Sequence, residues 1–180
     1  MKKTDKRAWS FPEVYSYPPF WTLQSNPAER EKQCALWSNL ICAFSKFHNI
    51  TEFELIGALE TPLFKNAKLG RQLSENDLVL ILDYLVEKGN AQWLSETKGR
   101  VRIIWRTYKQ WADMIYKWAS DNGQVGTVFT VHELMEDHPD APCHKMNVEM
   151  LTDVIKSMQA EGRANYMQNQ MLDECGVKFL

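Results

Sequence analysis

The sequence predicts a mostly α-helical α+β protein: two tandem domains, each of three helices with a small antiparallel sheet, preceded by an extended N-terminal arm. Three observations carry this. First, long segments with apolar residues at three- and four-residue spacing are each followed by short segments of strand-like alternation. Second, the pattern occurs twice. Trp37, Leu40, Ile41 and Phe44 match Trp111, Met114, Ile115 and Trp118 at one constant offset. Leu78, Ile81, Leu82 and Leu85 match Leu151, Val154, Ile155 and Met158 at another. That second offset also aligns Gly89, Ala91, Trp93 and Leu94 with Gly162, Ala164, Tyr166 and Met167. Three matching blocks in the same order imply an internal duplication. Third, adjacent prolines, Pro18 and Pro19, sit inside a run of aromatic rings near the start of the chain.

Residues 1–10 are charged and expected to be mobile, and residues 1–25 form the arm. Pro18 and Pro19 fix φ and lack N–H donors, which excludes helix there and pushes Tyr17 toward extended geometry. The expected form is a short polyproline II segment, its backbone open to solvent or to a partner. Tyr15, Tyr17, Phe20 and Trp21 give this short stretch a large apolar area. Either the arm folds back onto its own domain or it docks into a groove on another chain, as proline-aromatic peptides do.

The first domain is expected over residues 26–106. Asn26-Pro27 supplies a helix cap and a proline at the first helical position. Trp37, Leu40, Ile41, Phe44 and Phe47 form one buried stripe. Residues 51–55 suit a short strand, and a short helix is expected around residues 62–72. Ser74-x-x-Asp77 resembles a capping box ahead of the stripe from Leu78 to Leu85, which Gly89 stops. Residues 91–94 and 101–105 read as a hairpin around the turn at 96–99. The second domain is expected over residues 107–180. Thr107-x-x-Gln110 caps its first helix, 127–131 is strand-like, and 132–145 is a short helix or loop rich in acid, proline and histidine. A last long helix closes at Gly162, and residues 164–167 and 177–180 form a final hairpin. Helix, strand, helix, helix, strand, strand is the order of a winged helix, a relative of the helix-turn-helix. The linker, Arg106-Thr107, is too short for free tumbling, and the two domains are expected to pack together.

Composition narrows the functions. In 180 residues, 44% are apolar and 24% charged, so the chain can build cores, and the net charge of −2 gives no broad footprint for nucleic acid or anionic lipid. Cys34, Cys42, Cys143 and Cys175 form no C-x-x-C pair and read as reduced thiols. No apolar run reaches membrane-spanning length, and the polar start has no signal core behind it, so a cytosolic location and only indirect membrane contact are expected. The third helix of a winged helix usually reads the major groove. Here those helices carry Glu75, Asp77, Asp83 and Glu87 in one domain, and Glu149, Asp153 and Glu161 in the other, which repel phosphate. Arg100, Arg102 and Arg106 are the one basic cluster, and three charges give weak, salt-sensitive binding. Protein binding is the better reading; a nucleic-acid-binding or transcription-associated role is the alternative. No G-x-S-x-G or phosphate-binding glycine loop is present, so no catalysis and no cofactor are expected. His132, Glu133, Glu136, Asp137, His138, Cys143 and His144 have metal-compatible chemistry but fit no familiar zinc spacing, and an acidic surface loop is expected instead.

Tyr15-Ser16-Tyr17-Pro18-Pro19-Phe20-Trp21-Thr22-Leu23-Gln24 resembles the arm of the smallest-subunit family of the endosomal sorting complex ESCRT-II. Pro62-Leu63-Phe64-x-Asn66, Lys88-Gly89-Asn90-x-x-Trp93-Leu94 and Gly176-Val177-Lys178-Phe179 are similar to other signatures of that family. Phe11-Pro12-Glu13-Val14-Tyr15 resembles a first proline-tyrosine motif, with a single proline where some members have two. The resemblance implies an adaptor rather than an enzyme. Two copies of such a chain would join one copy each of two larger ESCRT-II subunits, held by Phe11, Pro12, Tyr15, Tyr17, Pro18, Pro19, Phe20 and Trp21. Phe20 and Trp21 would supply pocket-filling area. The second winged helix would engage an ESCRT-III subunit at the endosome, sending ubiquitinated cargo into multivesicular bodies.

Overall fold

The structure, a computed structural model, describes residues 8–180. Part of the charged start expected to be mobile, residues 1–7, lies outside the described residues. The chain divides between Trp105 and Arg106 into two compact units.

In the first unit the elements are α1 (Pro27–His48), β1 (Glu52–Glu54), α2 (Leu55–Leu59), β2 (Lys65–Asn66), β3 (Arg71–Gln72), α3 (Glu75–Glu87), β4 (Ala91–Trp93) and β5 (Arg100–Ile103). The Asn26 side chain accepts from the N–H groups of Ala28 and Glu29, with Pro27 opening α1, so the cap satisfies donors that helix geometry leaves unpaired. At the far end Asn49 takes the left-handed conformation, a geometry Asn tolerates well. Antiparallel strands pair in the order β1-β5-β4. Phe53 stands opposite Val101 and Ala91 opposite Ile103. All four side chains turn inward onto Trp37, Ile41, Leu78, Ile81, Leu82 and Leu85, the core formed by α1 and α3.

The second unit repeats the plan with α4 (Tyr108–Asp121), β6 (Val128–Thr130), α5 (Val131–Glu136), α6 (Val148–Ala160), β7 (Ala164–Met167) and β8 (Gly176–Phe179). Its sheet order is β6-β8-β7. Phe129 stands opposite Val177 and Ala164 opposite Phe179, again all buried. Gly89 and Gly162 follow the equivalent helices α3 and α6 with φ of +78° and +71°, where a side chain would be strained. Two winged helices are the result.

One expected element is misplaced by the sequence pattern. Residues 62–72 form the two-stranded β2–β3 ribbon rather than a helix, and the short second helix lies earlier, at Leu55–Leu59. Gly70 in the left-handed region, the Asn66 side chain accepting from the Leu69 N–H, and the Leu73 N–H donating to the Phe64 carbonyl close that turn. Leu63, Phe64 and Leu73 are buried around it. A five-residue helix is too short to display helical periodicity. In the second unit the corresponding helix, α5, is marked by a reciprocal box between Thr130 and Glu133.

The box at Thr107 and Gln110 is also reciprocal: each side chain bonds the other's backbone N–H. Thr107→Ala is expected to lower the stability of the second unit by about 1 kcal/mol. The check is the urea midpoint of that unit, followed by tryptophan fluorescence.

Candidate functional site: the N-terminal arm

The arm is built from two consecutive 3-10 turns, Glu13–Ser16 and Pro18–Trp21. This corrects both the expected polyproline II form and the exclusion of helix at the prolines. The two prolines occupy the first positions of the second turn, where a helical N–H has no acceptor, so their missing donors cost nothing. Tyr17, at φ −93° and ψ 110°, is extended as a residue before proline should be. The turns close through the N–H groups of Tyr15 and Tyr17 donating to the carbonyls of Pro12 and Val14, and of Phe20 donating to Tyr17, each at 3.0 Å.

Aromatic packing fastens the arm to the first unit. The Phe20 ring lies flat on Trp37, with centroids 4.2 Å apart, and Trp21 meets the same indole edge-on at 5.3 Å. Tyr15 stacks on Phe11 at 3.8 Å and meets Trp21 edge-on at 5.0 Å. Trp9 packs edge-on against Phe11 and Phe44. Hydrogen bonds fix the register. Trp37 Nε1 donates to the Phe20 carbonyl at 3.1 Å, and Trp21 Nε1 to the Tyr15 carbonyl at 3.0 Å. Asn66 Nδ2 also donates to the Tyr15 carbonyl, at 3.1 Å. The Tyr15 hydroxyl donates to the Pro62 carbonyl, and burial pushes its pKa above the ordinary tyrosine value.

Phe20 and Trp21 are each 2% exposed, and Tyr15 is buried as well. The expectation that Phe20 and Trp21 project into a partner's pocket is therefore corrected. Their rings are core side chains of the first unit, because Trp37 and Phe64 offer an aromatic bed that the sequence alone does not place beneath them. Of the sequence-predicted site residues, Pro12, Tyr17, Pro18 and Pro19 remain exposed and Phe11 is half-buried. Tyr17 is 59% exposed.

These exposed residues border an open groove along α1. Val14, Tyr17, Pro19, Gln33 and Leu36 line one part, a space of about 470 Å³. Trp9, Pro12, Val14, Leu36 and Ala43 line an adjoining part of about 380 Å³. Val14 and Leu36 line both parts, and Leu36 is 45% exposed. Sequence reasoning missed Leu36 and Gln33, and it met Asn66 only within the Pro62-Leu63-Phe64-x-Asn66 signature, not as a partner of the arm. Leu36 precedes the buried stripe by one position, which was the signal available for it.

The other candidates are used locally. Arg100 and Arg102 share Glu52, at 2.8 and 3.0 Å, and Arg102 is buried. The Arg106 guanidinium lies 4.5 Å from the Trp111 ring centre, and burial lowers its pKa. His138 sits between the rings of Trp118 and Phe129, while His132 is exposed on α5. Cys143 is fully buried near the Leu134 carbonyl, and burial pushes its pKa up to about 12. Asp140 accepts from Trp118 Nε1 at 2.8 Å, which holds its carboxyl below the usual range. The loop thus disperses these groups, and among the described residues no three His, Cys, Asp or Glu side chains are grouped to hold a metal ion.

The family model described as ESCRT-II complex subunit matches residues 14–146. The chain is 36% identical over 174 residues to the human vacuolar protein-sorting-associated protein 25, spanning 96% of this chain and 98% of that protein. Its counterpart in Arabidopsis thaliana is 31% identical over 174 residues, spanning 95% and 96%. Among solved structures, subunit VPS25 of the endosomal trafficking complex ESCRT-II superposes with a TM-score of 0.81 at 25% identity, covering 94% of this chain and 98% of that one. The endosomal complex ESCRT-II of VPS22, VPS25 and VPS36 contains a chain that superposes at 0.79, with the same identity and coverage. Arm, duplicated winged helices and sequence agree over nearly the whole length, and the chain belongs to the ESCRT-II complex subunit family.

Proposed function

We propose that the chain is a non-enzymatic adaptor of an ESCRT-II assembly, docking through its arm onto two larger subunits equivalent to VPS22 and VPS36, two copies per complex. The observation that carries this is the ridge of Pro12, Tyr17, Pro18 and Pro19, exposed beside the apolar Val14 and Leu36 on a backbone that is already fixed. Such a ridge loses little conformational freedom when it meets a partner. Tyr15, Phe20 and Trp21 serve it from beneath, as anchors to the first unit. Family membership and the composition of the solved ESCRT-II complex support the choice of partner.

The second unit carries no such arm and is the one that recruits an ESCRT-III subunit. Val128, Met167, Met171 and Leu172 give it exposed apolar contact area. Two copies per complex would raise the local density of recruitment sites, and paired sites add about 10²-fold or more in apparent strength when geometry allows. The chain acts in the cytoplasm, peripherally on endosomal membranes, in sorting ubiquitinated cargo. Among the described residues no helix is long and apolar enough to cross a membrane.

Tyr17→Ala with Pro19→Ala is expected to weaken binding to the purified larger subunits by about 2 kcal/mol or more, with an unchanged circular dichroism spectrum. Unaltered affinity would remove the ridge from the interface. Trp21→Ala has a different signature: a stability loss of about 3–5 kcal/mol in the first unit, whereas Tyr17→Ala should change stability by no more than about 0.5 kcal/mol. Thermal melts of both variants separate anchor from contact. A chain ending at Trp105 should join the larger subunits but fail to start ESCRT-III assembly on liposomes; activity equal to that of the full chain would sink the recruiting role of the second unit.

A further inference from the structure

The structure assigns Gln33 as the residue that presets the docking ridge, and this rests on the docking role of the arm. Gln33 lies on α1, beside the turn that carries Pro18 and Pro19. Its Nε2 donates to the Pro19 carbonyl at 3.2 Å and to the Thr22 carbonyl at 3.1 Å, and its Oε1 accepts from the Gln24 N–H at 2.8 Å. One primary amide thus uses both N–H donors and its acceptor on the backbone at the exit of the turn.

The chemistry suits the problem. With prolines at its first positions, the turn is held from within only by the N–H groups that follow them. The Phe20 N–H closes the entry of the turn on the Tyr17 carbonyl at 3.0 Å, but the bond at its exit, from the Thr22 N–H to the Pro19 carbonyl, is long at 3.4 Å. Phe20 and Trp21 secure the buried side of the turn, and Asn66 holds the carbonyl of Tyr15 in the preceding turn. Gln33 is the side chain that fixes the solvent side, where Pro18 and Pro19 are exposed and where the chain turns away toward Asn26. A primary amide is the side-chain group that offers two donors and an acceptor on one plane without charge.

Gln33 also lines the groove along α1, so contact with the partner must be distinguished from positioning. Kinetics makes the distinction. A positioning residue governs the fraction of molecules whose ridge is ready, so its loss slows association and leaves dissociation unchanged. If that fraction falls to about one tenth, apparent affinity falls about tenfold. Loss of a contact acts mainly on dissociation.

The experiment compares the full-length protein with its Gln33→Ala and Gln33→Glu variants for binding to the purified larger subunits by surface plasmon resonance. Gln33→Glu keeps an acceptor for Gln24 but removes both donors and sets a carboxylate against two carbonyls. Both variants are expected to associate about tenfold more slowly, with dissociation unchanged and the melting temperature of the first unit preserved. Hydrogen exchange at the Phe20 and Thr22 amides should rise while exchange in α3 stays as it was. Unchanged association, a change confined to dissociation, or loss of protection across the whole first unit would each overturn the assignment. Tyr17→Ala runs in parallel: if it weakens binding and the Gln33 variants do not, Gln33 alone is misassigned, and if neither has an effect, the docking role of the arm falls with it.

Discussion

The stack of Phe20 on Trp37 is the contact on which the first unit depends. Trp37 sits midway along α1, fully buried, and its face is covered not by another helix but by a ring that comes from the arm. Its indole N–H then needs an acceptor, since a buried donor left unpaired is costly. The Phe20 carbonyl provides it. One residue therefore supplies both the ring for the apolar face and the oxygen for the polar edge. Every other feature of the arm follows from that fixed point: Trp21 turns inward beside it, Tyr15 packs on Trp21, and Pro18 and Pro19 are left outside.

The duplication shows how the two units diverged around this position. Trp111 is the counterpart of Trp37, equally buried at the heart of the second unit. No aromatic arm precedes the second unit, and the Arg106 guanidinium covers the Trp111 ring instead. A cation over an indole face is favourable, most of all where it is partly removed from water. The first unit thus uses the equivalent space to hold an exposed proline-tyrosine ridge, and the second uses it for one residue of the linker. An ancestral core position has been given two different covers, with an exposed ridge built onto only one.

The distribution of arginines belongs to the same picture. Arg100 and Arg102 lie on β5, the central strand of the sheet, in the wing hairpin that in a winged helix can reach a nucleic-acid backbone. Both are paired with Glu52 on the neighbouring strand, and Asp83 on α3 pairs with Lys98 of the turn between β4 and β5. The cross-strand pairs tie β5 to β1, and the Asp83–Lys98 pair ties the wing to α3.

The chain's local pattern was sufficient for the larger elements. Apolar spacing around Trp37, Leu78, Trp111 and Leu151 determined the long helices, and Asn26, Ser74 and Thr107 marked their starts, because caps and periodicity are properties of neighbours in sequence. The repeated order of those stripes determined that there are two winged helices, and Tyr15 to Gln24 carried the family signature. Short elements escaped, since five residues at Leu55–Leu59 show no period and the β2–β3 ribbon depends on a turn closed by Asn66 and Gly70. The form of the arm escaped for a deeper reason. Two prolines are equally compatible with polyproline II and with the opening of a 3-10 turn, and nothing local separates them. Only the tertiary structure, by bringing Trp37, Gln33 and Asn66 from distant positions against the arm, decided that Phe20 and Trp21 face inward and that Tyr17 and the prolines face outward. Burial of a ring depends on what lies opposite it, and that is a property of the fold rather than of the segment.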